Sequence, residues 1–179
     1  MEVKLAMERY FDKLQSIYSK KSPPYPQTPY NEDVDDFIYV GEPDEYEWIS
    51  WKPVVKSEKH DLAELSNRLN VEIHPSVKEY YNSFWFCSLG GKIGEFRIQL
   101  DEVLPNVELE TFIDNLIGYK AAHNGLIENI PVGVETNQSL LVVVDNKTGE
   151  VKLEDYEIGA FTVLADSLSA LILKLADSL

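Results

Sequence analysis

The sequence predicts an α+β protein, a single domain over residues 1–179 with a mostly antiparallel, mixed sheet of about six strands and helices packed on one face. Three observations lead to this fold class. Apolar residues recur at helical spacing in several separate segments. Alternating segments follow one another through short turn sequences, which is typical of hairpins rather than βαβ crossovers. The length of 179 residues and the hydrophobic fraction of 44% suit one domain with a substantial core.

In the first fifth of the chain, the sequence pattern predicts a helix followed by a linker. Val3 to about Ser19 is amphipathic, with Leu5 and Phe11 on the apolar side. Residues 22–36 begin with SPPYPQTP, whose four prolines lack the N–H of a helix and bias their predecessors to extended backbone. A proline-rich surface linker over 22–36 is therefore predicted.

The middle of the chain predicts two strand pairs and two helices. Residues 37–40 and 48–51 form the first pair across an acidic turn, and Ser57 is the predicted cap of a helix that runs to about Asn70. A second helix begins near Pro75, which suits a first helical turn. The second strand pair lies within residues 86–100, with Gly90-Gly91 as its predicted turn.

The last part predicts a helix, a group of strands and a closing helix. Residues 107–120 have helical periodicity, with Asn106 as cap, and Gly118 within them indicates a close packing contact. The run Leu140–Asp145 is continuously apolar up to its last residue and is predicted to be a central strand covered on both faces. The other predicted elements are strands at 130–135, 150–154 and 158–164 and a helix capped by Asp166 or Ser167.

Charge limits the partners that the protein can have. The net charge is −15 and the isoelectric point is about 4.5. Phosphate groups need a cationic surface, so nucleic acid and direct lipid insertion are not expected, and a basic protein partner is favoured. The acidity is clustered, because residues 22–51 hold eight Asp and Glu but no Lys or Arg. No apolar run is long enough for a transmembrane helix, and the charged N-terminus predicts a cytoplasmic protein.

Motifs for catalysis are missing from the sequence. It contains no phosphate-binding loop, dinucleotide fingerprint or nucleophile elbow. The histidines are far apart and no metal-ligand spacing occurs, so no catalytic residue, metal or cofactor is predicted. Cys87 lies among apolar residues and is predicted to be buried. The protein is therefore expected not to be an enzyme. The alternative is a small hydrolase with an unrecognised carboxylate pair, which requires a deep pocket holding two carboxylates of perturbed pKa.

Several segments together resemble a known family. They are Glu72–Tyr81 with the aromatic run that follows, Ile93–Ile98, Asn115–Tyr119, and Lys147–Val151, in an order that covers nearly the whole chain. These residues resemble the Syd family of SecY-interacting proteins, a branch of the SUKH superfamily. The resemblance implies a non-enzymatic protein, peripheral on the cytoplasmic face of the plasma membrane, whose acidic surface meets basic cytoplasmic loops of the SecY translocon. SUKH relatives imply an alternative, an immunity protein that neutralises a polymorphic toxin such as a nuclease.

The resemblance and the acidic clustering together suggest partner-binding residues. Glu95 and Glu135 lie at strand ends or beside turns in segments that match the family. The acidic turn residues Glu42, Asp44 and Glu45 extend the predicted acidic face. Trp48, on the same hairpin, is either a core residue or an aromatic anchor for the partner. The sequence leaves the oligomeric state open.

Overall fold

The computed structural model describes residues 2–179, except for the side chains of Glu108 and Leu109. The α-helices are α1 (Val3–Tyr18), α2 (Ala63–Leu69), α3 (Pro75–Tyr81), α4 (Glu108–Ala122) and α5 (Leu168–Asp177). The first strands are β1 (Gln27–Pro29), β2 (Tyr39–Val40), β3 (Trp48–Trp51), β4 (Val54–Val55) and β5 (Phe84–Trp85). The later strands are β6 (Leu89–Ile93), β7 (Phe96–Leu100), β8 (Asn129–Glu135), β9 (Leu141–Asp145), β10 (Val151–Asp155) and β11 (Ala160–Ala165).

The main sheet contains six strands in the order β11-β10-β9-β8-β7-β6, and each neighbouring pair is antiparallel. Strands adjacent in the chain are thus adjacent in the sheet, although α4 is inserted between β7 and β8. Smaller sheets are formed by β1-β3-β2 and by β4-β5. The predicted α+β fold with an antiparallel sheet of six strands is confirmed.

One face of the main sheet carries the apolar core. Val142, Val144, Val151 and Leu153 are buried in the same cluster as α1 and α5, which pack against each other. Residues that alternate along a strand point to opposite faces, so Val143 and Glu154 belong to the second face. Because Val142, Val143 and Val144 are all buried, the prediction that β9 is central and covered on both sides is confirmed.

The second face of the sheet is crossed by α4, which differs from the expectation that helices pack on one face. The Tyr119 hydroxyl of α4 donates a hydrogen bond of 2.7 Å to Glu154 Oε2 on β10. Phe112 and Leu116, on another side of α4, are buried in the core cluster. The helix therefore uses one apolar side at the core and one polar side over the sheet.

Local predictions near the N-terminus need correction. In α1 the buried residues include Val3, Ala6 and Met7, whereas Leu5 is 47% exposed, because the packed face follows the spacing i, i+3, i+4 from Val3. Helix α2 begins at Ala63 after Leu62, so Ser57 is not its cap. The predicted linker contributes strand β1, which pairs with β3.

The prediction that Gly90-Gly91 forms a turn is wrong. Both glycines lie inside β6, and the chain reverses after it, where Gly94 has a φ of +60°. A Cβ on Gly91 would stand 3.0 Å from the Leu175 carbonyl oxygen of α5. Gly91 therefore permits the close approach of α5 to β6, whereas a Cβ on Gly90 would lie 2.6 Å from the Ile98 carbonyl oxygen of β7. Tyr10 of α1 donates to the Gly90 carbonyl at 2.8 Å. The predictions of a second strand within residues 86–100, here β7, and of a helix beginning at Pro75 are confirmed. Of the two caps predicted for the last helix, Asp166 or Ser167, the structure has Ser167.

Two glycines give a matched prediction for stability. A Cβ on Gly133 would lie 2.7 Å from Leu100 Cα in the neighbouring strand, whereas no atom of the described residues lies within 4 Å of the same position on Gly118. We expect Gly133→Ala to lower the free energy of unfolding by about 2–3 kcal/mol through overpacking. Gly118→Ala should raise it by about 0.5–1 kcal/mol, because alanine is the better helix former. Urea denaturation measures both, and destabilisation by Gly118→Ala would contradict the open space beside α4.

Candidate functional site

A groove runs between α4 and the second face of the main sheet. It consists of two adjoining hollows that share Tyr119, Ala122, His123 and Tyr156. The first, here called the Gly118 hollow, has a volume of about 430 Å³ and is also lined by Val134 and Leu141. The second, called the Asn129 hollow, has a volume of about 650 Å³ and extends beyond the end of α4.

The groove is acidic along its length. Its carboxylates are Asp101 and Asp114 in the Gly118 hollow and Glu128, Glu154 and Glu157 in the Asn129 hollow. Within residues 2–179, neither hollow is lined by a Lys or Arg. We call this surface the acidic groove. Its charge is well placed to attract cations, since a concave wall of one sign concentrates the field.

Helix α4 supplies one wall of the acidic groove through a single stripe of residues. The stripe repeats in steps of four, which places its members on one side of a helix. Its members are Asp114, Asn115, Gly118, Tyr119, Ala122 and His123. Gly118, for which the sequence predicts a close packing contact, instead leaves open space, so that prediction is wrong. The absent side chain widens the Gly118 hollow.

A buried polar cluster anchors the middle of the groove. Glu154 is 3% exposed, and its second oxygen, Oε1, lies 2.6 Å from His123 Nε2. His123 Nδ1 lies 2.8 Å from the Tyr119 carbonyl oxygen, which can only accept, so Nδ1 donates. A single proton is shared between His123 Nε2 and Glu154 Oε1. The two groups form an ion pair when it lies on the ring and a neutral acid–imidazole pair when it lies on the carboxyl group. The His123 ring also stacks on Tyr119, with ring centroids 3.7 Å apart.

Asp101 differs from Glu154, because no histidine or other cation of the described residues is paired with its carboxyl group. Burial, and then the nearby charge of Glu102, raise the pKa of Asp101 to about 6, although a hydrogen bond from Tyr81 opposes the shift. The Tyr81 hydroxyl lies 3.4 Å from Asp101 Oδ2, which is a long contact. No cation of the described chain is bonded to this carboxyl group. A bound cation would therefore favour its ionised form.

The predicted acidic hairpin forms a separate surface. Glu42, Asp44 and Glu45 are exposed in the connection from β2 to β3. Asp44 Oδ1 accepts from the backbone N–H groups of Tyr46 and Trp48, both at 2.9 Å, and so holds the turn. Trp48 is 45% exposed, so it is a surface residue available to a partner. None of these residues lines the acidic groove.

The two other predicted carboxylates differ from each other. Glu95 is exposed in the turn between β6 and β7, outside the groove. Glu135 is fully buried, and its carboxylate accepts backbone N–H groups of Arg97, Asn137 and Gln138 at 2.6 to 3.1 Å. Burial raises the pKa of Glu135, but these three donors outweigh it and lower the pKa below the usual value. Glu135 therefore closes the loop after β8, and the expectation that it faces a partner is corrected.

Sequence reasoning missed the groove residues, although one signal was present. The stripe from Asp114 to His123 has helical spacing, but its members are polar or small, and such a pattern is usually an ordinary solvent-facing side. Glu154 gave no signal, because alternation along β10 predicted an exposed side chain. Helix α4, which covers Glu154, is distant from β10 in the chain.

The arrangement is suited to noncovalent binding of cations. Both ring nitrogens of His123 are engaged, which leaves neither to act as a base. Cys87 is buried, and burial followed by the charge of Glu102 raises the pKa of its thiol to about 12. Residues 2–179 contain no group of three or more His, Cys, Asp or Glu side chains arranged to hold a metal ion. In the same part of the chain, no helix combines the length and apolarity needed to cross a bilayer.

Comparison with known proteins assigns the family. The model of the family described as Syd protein (SUKH-2) matches residues 4–176. The chain belongs to the Syd family. A protein named Protein Syd from Aeromonas salmonicida is 29% identical over 136 residues, covering 71% of each chain. Others so named come from Photobacterium profundum, 24% identical over 71% of this chain and 70% of the relative, and Pseudoalteromonas atlantica, 26% identical over 59% and 58%. The match thus spans less than two thirds of the last relative's length.

Removal of one hydroxyl tests the polar cluster of this Syd-family groove. Tyr119→Phe leaves Glu154 Oε2 buried without its donor, so we expect the free energy of unfolding to fall by about 1–3 kcal/mol. Tyr156→Phe is the control, because its hydroxyl bonds the Ala122 carbonyl from an exposed position and should matter by less than about 0.5 kcal/mol. Equal losses in the two variants, measured by urea denaturation, would contradict the anchoring role of Glu154.

Asp101 gives a prediction that depends on pH. Its folded pKa, about 6, lies above the usual value of 3.8, so the folded state binds the proton more tightly. The ionisation of Asp101 therefore removes stability from the folded protein as the pH rises from about 4 to about 6. Asp101→Asn should be more stable than wild type by about 1–2 kcal/mol at pH 8 and nearly equal to it at pH 4. Urea denaturation at both pH values measures the difference, with Asp114→Asn as the control. An equal gain in the free energy of unfolding at pH 4 and pH 8 would contradict the prediction.

Proposed function

We propose that this protein is a non-enzymatic binding protein whose acidic groove holds a basic segment of the SecY translocon, contributed by its cytoplasmic loops. The observation that carries the proposal is the alignment of five carboxylates along one groove that no described Lys or Arg lines. Membership of the Syd family supports the choice of partner. The protein would then act as a peripheral protein on the cytoplasmic face of the plasma membrane.

The charge of the groove favours a basic peptide over other ligands. Asp101 is partly desolvated before any ligand arrives, so an incoming Lys or Arg gains an ion pair without the full cost of stripping water from the carboxylate. Asp114, Glu128 and Glu157 are exposed and contribute mainly to long-range attraction. Association should therefore be fast and sensitive to salt.

The shape of the groove favours an extended segment. Val134 and Leu141 form an apolar floor in the Gly118 hollow, with Gly118 opposite. A loop of a membrane protein can lie along such a groove with basic side chains near the carboxylates and apolar ones on the floor. The net charge of −15 disfavours direct contact with anionic lipid, so membrane recruitment would depend on the protein partner.

Binding to SecY in lipid nanodiscs tests the proposal. We expect the wild-type protein to bind and its affinity to fall about tenfold or more as NaCl rises from about 50 to about 300 mM. Gly118→Leu fills the Gly118 hollow, and Asp114→Lys reverses a groove charge, so each should weaken binding by about tenfold or more. Glu45→Lys makes the same charge change on the β2–β3 hairpin and serves as the control.

The outcomes separate the two acidic surfaces. Loss of binding in the groove variants with retention in Glu45→Lys supports the acidic groove as the SecY site. The reverse pattern would assign binding to the hairpin carboxylates predicted from the sequence. Wild-type protein that fails to bind SecY at low salt would overturn the assignment of the partner.

A further inference from the structure

The two edges of the main sheet differ in how their backbone is covered. Strand β6 forms one edge, and side chains from α1 and from the residue after α5 bond its outward groups. The Tyr10 hydroxyl accepts from the Gly90 N–H at 3.0 Å and donates to the Gly90 carbonyl at 2.8 Å. Ser178 Oγ accepts from the Lys92 N–H at 2.8 Å. This edge is therefore closed to a further strand, as sheet edges in native proteins usually are.

Strand β11 forms the other edge, and the pairing of its neighbours shows which of its backbone groups point outward. Hydrogen-bonded and non-hydrogen-bonded pairs alternate along an antiparallel ladder. The Asp145 N–H of β9 donates to the Glu150 carbonyl at 2.8 Å, so every second residue after Glu150 turns its backbone groups toward β9. Leu153 belongs to the alternate set and faces β11, where its partner is Thr162. The backbone groups of Thr162 are therefore used within the sheet.

The outward groups of β11 are open over the first part of the strand. Phe161 and Val163 flank Thr162, so their N–H and C=O groups point away from β10. In the described part of the chain, no hydrogen bond occupies these groups. Lys174 of α5 covers the end of the strand, because its Nζ atom donates to the Leu164 carbonyl at 2.7 Å. The open part of the edge thus lies before Leu164.

The side chains on this open edge are apolar and exposed. Phe161 and Val163 pair with Glu154 and Lys152, so their side chains lie on the second face of the sheet. They are 46% and 55% exposed. Charged residues or proline on an edge strand normally prevent pairing with another chain, and β11, with the sequence AFTVLA, has none. Open backbone groups and exposed apolar side chains on one strand are the features that strand addition requires.

The charges around β11 decide between the possible occupants of the edge. Glu157 precedes the strand and Asp166 follows it, and both are exposed. Lys152, beside the Phe161 ring on the second face, is paired with Asp145 at 2.7 Å. A second copy of the chain would bring the same acidic ends and another net charge of −15, and the two copies would repel each other. A strand with basic residues at its ends is complementary to this edge.

We propose that β11 is a docking edge, to which an extended segment of the basic partner adds as a seventh strand, with its backbone bonded to Phe161 and Val163 and with basic residues at its ends. The inference rests on the proposed function, because Phe161 also lines the Asn129 hollow and a segment that leaves the acidic groove there can continue along β11. In this mode the main-chain bonds supply affinity and alternate side chains supply specificity. The segment should therefore carry apolar residues at alternate positions, where they pack beside Phe161 and Val163.

Two synthetic peptides of equal charge test the preference for a strand. Peptide KKVTVTVKK has basic ends around alternating β-branched residues, which favour the strand conformation. Peptide KKGSGSGKK has the same charge, but its glycines disfavour that conformation. By titration calorimetry at about 50 mM NaCl, wild-type protein should bind KKVTVTVKK about tenfold more tightly. KKGSGSGKK should keep the weaker, salt-sensitive binding of a basic segment in the acidic groove.

Amide hydrogen exchange locates the added strand. The N–H groups of Phe161 and Val163 point to solvent and should exchange rapidly in the free protein. Saturation with KKVTVTVKK should slow their exchange by about tenfold or more, because each then donates to the peptide backbone. The Thr162 N–H faces β10 and should already be protected, so its exchange should change much less.

Two substitutions at one position separate the backbone donor from the side chain. Val163→Pro removes an outward N–H and leaves the bonds of Thr162 to β10, so KKVTVTVKK should bind about tenfold more weakly. Val163→Thr is the control, because it keeps the N–H and the β-branched shape, and its affinity should stay within about twofold of wild type. Both variants should bind KKGSGSGKK as wild-type protein does. If Val163→Pro does not fold, amide exchange of the wild-type protein decides.

Failure of the docking edge and failure of the groove give different results. Equal affinity of wild-type protein for the two peptides, or unchanged exchange at Phe161 and Val163, would overturn the docking edge and leave the acidic groove as proposed. Protection of these amides that rises with protein concentration without peptide would assign the edge to a second copy and overturn the proposed occupant. Binding of KKVTVTVKK alone, at β11, would support the docking edge and contradict the groove. If neither peptide binds at low salt, both proposals fail.

Discussion

The burial of Glu154 is the constraint on which the functional side of this structure depends. A carboxylate at 3% exposure needs donors to both oxygens, and the sheet supplies neither. Tyr119 of α4 and His123, which caps the C-terminus of that helix, provide them. Because these two residues lie four apart, both reach the same strand only if α4 crosses the second face of the sheet. The pairing of Glu154 with these two residues therefore holds α4 over the second face, and that helix position forms one wall of the groove.

The two faces of the sheet have different physical roles. On one face, Val142, Val144 and Leu153 are buried in the same apolar cluster as α1 and α5, and burial of apolar area there stabilises the fold. On the other face, hydrogen bonds hold Glu154, and the acidic groove is lined by five carboxylates and by no described Lys or Arg. This imbalance can persist because the opposite face holds the fold together. The proposed binding of a basic segment would balance this negative charge.

The sequence predicts the parts of the fold that depend on local patterns. The apolar run of β9, the alternation in β7, Pro75 at the start of α3 and Ser167 at the start of α5 all act within a few residues. Gly90-Gly91 shows the limit, because the same dipeptide suits a turn or the close approach of a helix, and α5 lies more than seventy residues away. Local pattern cannot distinguish these two uses.

The site was less predictable for a related reason. The clustering of acidic residues can be read from the sequence, but which of them are exposed depends on long-range packing. Glu135 lies at a strand end, where exposure is the ordinary expectation, yet its carboxylate is buried and accepts N–H groups from Arg97 of β7 and from two residues of the following loop. The residues of the acidic groove come from β7, α4 and the strands after it, so no single stretch of sequence contains the site.

Helix α4 has one further consequence, which concerns divergence within the family. Phe112 and Leu116 hold the helix to the core, whereas Asp114, Asn115 and Gly118 line the groove from a different side. Substitutions on the second side can therefore accumulate without a cost to folding, apart from those that disturb Tyr119 or His123. Under the proposed function, the choice of basic partner can therefore change by single substitutions on this side of α4 that leave the core contacts of Phe112 and Leu116 in place.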